Sequence, residues 1–168
     1  VDQIKNTATQ QKYSLSVSGG TKKTKIFASA AYTNQKGLIE TDNQKVYQLR
    51  MNIDQELNKW LTASFTSNLN YSDRNLGSRH TFINALKSLP LGDPYTEDGE
   101  INYKYVGGLT TPLGDFIKNQ YAENVRTTYL NVSGSMTWTP IKGLSAKTSF
   151  NGILKHARNG KFRGAQAS

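Results

Sequence analysis

The chain has no cysteine at all, so it can build neither a disulfide framework nor a thiolate metal site. It also lacks any run of about 18 apolar residues, which excludes a transmembrane helix. That absence does not touch a β-barrel, whose strands are only half apolar and leave a weak hydropathy signal. Histidine is scarce. His80 and His156 are the only two, far apart in sequence, and loop histidines are ordinarily just solvated. No HExxH, GxSxG, P-loop or dinucleotide fingerprint is present, so the sequence offers no recognisable catalytic centre and reads as a non-enzyme with no cofactor. No leader is visible at residues 1–10, so the chain reads as mature or as a piece of something longer.

What the chain does have is charge and alternation. Over 168 residues it carries a net charge of +9, with a mean hydropathy of -0.62 and 36% hydrophobic residues. Such a balance raises nucleic acid or an anionic surface as partners. The basic residues are scattered, however, with no run longer than Lys22-Lys23, so they read as solvated charges and nucleic acid is not expected.

The alternation is densest over residues 45–72. Tyr47, Leu49, Met51 and Ile53 share one face, and Arg50, Asn52 and Asp54 share the other. Leu61, Ala63, Phe65, Leu69 and Tyr71 then repeat the apolar face, opposite Thr62, Ser64, Thr66, Asn68 and Asn70. Side chains alternate across a strand, so this is a sheet with one oily face and one wet face. The second run, about 12 residues, is twice the usual globular strand and matches the roughly 9–11 residues of a tilted membrane strand.

The same pattern places six strands at about 12–18, 25–34, 45–56, 61–72, 125–138 and 144–155. Short turns fall after the first, third and fifth strands. Longer loops fall at 35–44 and 73–124. In an up-and-down meander the short turns then share one end and the long loops the other, as in outer-membrane barrels. Tyr13, Tyr32, Tyr47 and Tyr71 sort to the long-loop end, and Trp60 and Trp138 to the short-turn end, as two interfacial belts would. The fold class is therefore all-β: an antiparallel up-and-down transmembrane β-barrel segment. Single-chain barrels start at about 8 strands, so six imply a fragment completed by other polypeptide.

The loop at 73–124 is too long to be idle. Residues 79–89 have Phe82, Ile83, Leu86 and Leu89 at helical spacing, with Ser78 as a cap and Pro90 as a stop. Residues 95–105 hold Asp98-Gly99, a hairpin turn. Tyr95, Tyr103 and Tyr105 offer flat faces and hydroxyls for a sugar or peptide, with Asp73 and Arg74 at the strand rim; these are the candidate substrate contacts. Asp93, Glu97, Asp98 and Glu100 do not match an EF-hand spacing, and calcium in this loop is a minor alternative to a solvated turn. Asn70-Tyr71-Ser72 and Asn131-Val132-Ser133 are sequons inside strands and carry no expectation.

The ordered set formed by residues 13–20, Gln35-Lys36-Gly37, the strand 47–54, Lys59-Trp60-Leu61, the loop pieces Leu86, Pro90, Asp93-Pro94-Tyr95 and Asp98-Gly99, and the turn 140–144 resembles the SusC/RagA-type TonB-dependent transporters of Bacteroidetes. The resemblance covers nearly the whole chain. It implies a barrel of about 22 strands in the bacterial outer membrane. Such a barrel imports glycans or peptides, powered through TonB and capped by a SusD-like lipoprotein. It also implies that Arg50, Asn52 and Asp54 line the lumen beside a plug domain. No plug and no TonB box are present in this sequence. The reading from a different class is a soluble β-rich carbohydrate-binding module, which needs two oily faces opposed as a sandwich.

Overall fold

The computed structural model describes residues 7–39, 41–78, 95–102 and 120–164, with Ile83, Leu86, Lys87, Asp93 and Leu113. Six antiparallel strands form one sheet in the order β1-β2-β3-β4-β5-β6: β1 Thr9–Gly20, β2 Thr24–Lys36, β3 Asn43–Asn58, β4 Leu61–Leu76, β5 Tyr121–Ile141 and β6 Leu144–Arg163. Each strand pairs with its neighbours in sequence, so the sheet is an up-and-down meander. It is one sheet, not two facing ones, and the sandwich that a soluble binding module would need is not the arrangement found.

The register aligns side chains into rows. Tyr13, Tyr32, Tyr47, Tyr71, Thr128 and His156 form one row, and Leu15, Ala30, Leu49, Leu69, Leu130 and Leu154 the next on the same face. The four tyrosines touch in sequence across four strands, with ring centroids 6.5, 5.0 and 6.1 Å apart. These are cross-strand aromatic pairs of the kind that fix register. Further along, Gly134 faces Phe150, and a methyl group at Gly134 would overlap the Phe150 ring. The bare backbone there is covered by a neighbouring aromatic, which restores packing lost with the missing side chain.

Among the described residues nothing closes over the apolar face. Leu15 is 77% exposed, Leu154 67% and Phe150 65%. Among the described residues only Leu113, Ser78 and Gly134 are buried. A monomer in water rarely leaves so continuous an apolar surface bare.

The structure revises several boundaries. Every strand runs past the limits expected from alternation, β5 and β6 most of all. The segment 156–163, past the expected end of the sixth strand, is the outer part of β6, and β5 begins at Tyr121 rather than Val125. Ladder hydrogen bonds need only backbone, so pairing continues where both faces are polar and alternation vanishes. For the same reason the loop expected at 35–44 shrinks to 37–42. It is closed by Gly37 N–H donating to Asp42 O at 2.7 Å and pinned to β4 by a Gly77 N–H to Asp42 Oδ1 bond. The three short turns occupy 21–23, 59–60 and 142–143, at the end opposite 37–42.

In the long loop, Ile83, Leu86 and Lys87 are helical, within the expected helix; the rest of 79–89 lies outside the described residues. The Asp98-Gly99 hairpin is tight. Tyr95 bridges Ile101, Gly99 takes φ +79°, and Gly99 N–H donates to Thr96 O at 2.9 Å.

Candidate functional site

The polar face is the surface on which binding chemistry gathers. Its rows include Ser16, Ser29, Arg50, Asn68 and Asn131, then Ser18, Phe27, Asn52, Thr66, Ser133 and Asn151, then Lys25, Asp54, Ser64, Ser135 and Ser149. Arg50, Asn52 and Asp54 thus fall on this one face in successive rows, as the alternation required. Phe27, an aromatic on this polar face, sits in the row of Asn52. Asn52 Oδ1 is buried there without a hydrogen-bond donor.

The strand charges on this face are Lys12, Lys25, Arg50, Arg74, Lys147, Lys155, Lys161 and Arg163 against Asp54, Glu56 and Glu123. Eight bases against three acids make a basic wall dressed with amides and hydroxyls. These groups hydrogen-bond and attract anions; they do not form a nucleophile–base pair. Among the described residues no three carboxylate or imidazole groups converge to hold a metal ion.

The expected rim pair is split. Asp73 lies in the row just beyond the tyrosines, on their face, while Arg74 follows the polar rows. Asp73 Oδ2 is 3.4 Å from Arg126 Nε, and its Oδ1 accepts from Asn124 Nδ2 at 2.6 Å. Asn124 Nδ2 also donates to Asn75 Oδ1 at 2.7 Å, and Asn75 Nδ2 to Asn43 Oδ1 at 3.0 Å, an amide ladder across β3, β4 and β5. Tyr95 stands exposed on the 95–101 hairpin, its N–H 3.3 Å from Asp93 Oδ1. Tyr103 and Tyr105 lie outside the described residues.

A cluster that alternation did not reveal sits at the outer end of the polar face. Tyr121 OH donates to Glu123 Oε2 at 2.6 Å, Lys161 Nζ lies 3.6 Å from the same oxygen, and Lys161 is 5.5 Å from the centre of the Tyr121 ring. Glu123 is five residues beyond the tyrosine row. The Tyr121 hydrogen bond first, and the Lys161 charge after it, hold its carboxyl below the ordinary glutamate value. The sequence signal for this cluster was absent because Lys161 comes to Glu123 only through the β5–β6 register.

The apolar face has a sharp edge. From the row of Tyr71 to the row of Leu61, Trp138 and Ala146, no strand residue on this face is Asp, Glu, Lys or Arg. The five charges on this face, Lys36, Lys45, Asp73, Arg126 and Arg158, all lie beyond the tyrosine row. Ten residues separate Tyr71 from Leu61. At ~3.3 Å each and a tilt of roughly 40° they span about 25 Å, the height of the apolar band of a membrane barrel.

No protein-family profile matches the chain, and no curated protein matches it either. Solved structures do. The RagAB peptide importer in its closed-closed state aligns over 90% of this chain with a TM-score of 0.71 at 24% identity. Its open-open state aligns over 90% with a TM-score of 0.72 at 24% identity. The chain spans 18% of the length of those importer chains. Its six-stranded meander therefore has the fold of one segment of the RagAB peptide importer.

Proposed function

We propose that the chain is a wall segment of a SusC/RagA-type TonB-dependent transporter of the bacterial outer membrane, one that imports peptides. One observation carries this reading: a charge-free apolar band about 25 Å tall, bounded by a tyrosine row and backed by a basic polar face. The apolar face meets lipid. The polar face lines the lumen, where Arg50, Asn52 and Asp54 meet a plug and the bare Asn52 Oδ1 takes a donor from it. The likeness to a peptide importer supports peptides as cargo; glycans rest on the family resemblance alone.

The outer edges of β1 and β6 each pair on one side only and take the remaining barrel polypeptide, because an open edge facing lipid is not viable. A SusD-like lipoprotein covers the long-loop end, where Tyr95, Tyr103, Tyr105 and Arg74 are the substrate contacts. TonB acts through the plug. The segment itself performs no bond chemistry.

These strands carry no native cysteine, so a cysteine-free background of the complete barrel leaves them unaltered. Single cysteines at positions 65 to 70 of β4, in the complete barrel in membranes, are exposed to a membrane-impermeant thiol reagent. Positions 66, 68 and 70 label and positions 65, 67 and 69 do not. Equal labelling of both sets from bulk water would refute the assignment of faces.

A further inference from the structure

Two features of the apolar face are not used by peptide transport. The first is a continuous groove over β2. The small side chains Ala28 and Ala30 lie between Leu15 and Val17 on β1 and Leu49 and Met51 on β3. The groove has two joined parts of about 480 and 430 Å³ that share Leu15, Ala30 and Leu49, and its upper part ends at Tyr13, Tyr32 and Tyr47. The second is the basic row beyond those tyrosines. Lys45 stands in the first row out and Lys36 in the second, on adjacent strands directly above the groove.

Across the sheet, Arg126 and Arg158 are directly opposed between β5 and β6, and like charges so placed repel. Asp73 offsets Arg126, and among the described residues Arg158 has no acidic partner. Lys36, Lys45, Arg126 and Arg158 are all exposed. A small gap again lies below, at Gly152, between Val132 and Leu154.

We propose that this face holds a phosphorylated lipid of the outer leaflet, with its acyl chain in the β2 groove and its phosphates on Lys36, Lys45 and Arg158. The proposal rests on the transporter reading, which places the face in lipid. Apolar groove, phenol row and basic row follow one another outward in the order of acyl chain, interface and anionic headgroup. Phosphate between Arg126 and Arg158 also removes the repulsion that the register imposes. Asp73 is already taken by Arg126 and Asn124, so it does not oppose the headgroup as a free carboxylate.

The experiment uses the complete barrel that contains these strands, purified in neutral detergent. Retention is measured by native mass spectrometry with a diphosphoryl glycolipid, with the same lipid after phosphatase treatment, and with inorganic phosphate. The K36Q/K45Q/R158Q variant keeps the Arg126–Asp73 pair. It loses retention of the phosphorylated lipid by roughly 100-fold, the effect of three basic groups at an anionic surface, and retains the dephosphorylated lipid as before. Ala30→Phe fills the groove and weakens both lipids. K147Q/K155Q removes two charges from the polar face and changes neither, and its thermal unfolding reports whether charge loss alone damages the fold. Equal retention of the two lipids by the native barrel would overturn the proposal, as would inorganic phosphate binding as tightly as the lipid, or equal losses in the polar-face control. A barrel that gives the alternating thiol pattern yet ignores lipid phosphorylation sinks the lipid site alone.

Discussion

At the scale of single residues, position decides what a substitution costs. Leu49 and Asn68 stand on neighbouring strands, within one row of each other, and differ only in face. Leu49→Lys places an ammonium in the middle of the apolar band and costs about 2–4 kcal/mol of folding in lipid; Asn68→Lys, on the polar face, costs little. Reversible unfolding of the complete barrel in lipid vesicles measures both. Gly134→Val pushes a branched side chain into the Phe150 ring and destabilises by about 1–3 kcal/mol. Gly134→Val combined with Phe150→Ala recovers part of that loss in the same assay, because the ring is what the valine meets.

Faces were the most legible property of this sequence. Arg50, Asn52 and Asp54 went to the polar side because alternation has no other solution. Asp73 and Arg74 were less legible. Adjacent residues in a strand cannot serve one surface, so grouping them as a single rim site overlooked the rule that placed everything else. The Tyr121–Glu123–Lys161 cluster was not legible at all, since it is made by two strands whose ends carry no hydrophobic signal.

At the scale of elements, the strands are longer than their apolar stripes. A strand can be read from sequence only while its two faces differ; beyond the tyrosine row both faces are polar, and pairing becomes invisible. This accounts for the missed outer parts of β5 and β6 and for the overestimated loop that is really 37–42. The 121–127 backbone is paired on one side throughout and on both sides from Glu123 onward. Its amides therefore exchange slowly. Hydrogen-exchange mass spectrometry of the barrel distinguishes this from a loop, which would exchange within seconds. The 142–143 turn and the Asp98-Gly99 hairpin were legible because Gly143 and Gly99 answer a local backbone demand that needs no tertiary partner.

At the scale of the whole molecule, burial is almost absent among the described residues. Leu113 is the only large apolar side chain buried among the described residues, so hydrophobic stabilisation has to come from what surrounds the sheet. The isolated chain in plain buffer consequently gives no monodisperse, folded monomer. Size-exclusion chromatography with far-ultraviolet circular dichroism checks this, and a compact folded monomer without detergent or lipid would contradict the membrane reading. The meander itself was legible from loop lengths and sorted aromatics, because an up-and-down sheet needs nothing beyond neighbours in sequence.

The phenol file across β1 to β4 has a final consequence for assembly. A slip by two positions keeps a strand's oily side outward, so facing alone does not forbid misalignment. In the proposed membrane setting, an inward slip of β3 would, however, pull the Tyr47 ring away from Tyr32 and Tyr71 together and would drag Lys45 from the headgroups into hydrocarbon. In the transporter proposed above, a misaligned β3 is thus penalised twice over, and the membrane boundary itself proofreads its stagger.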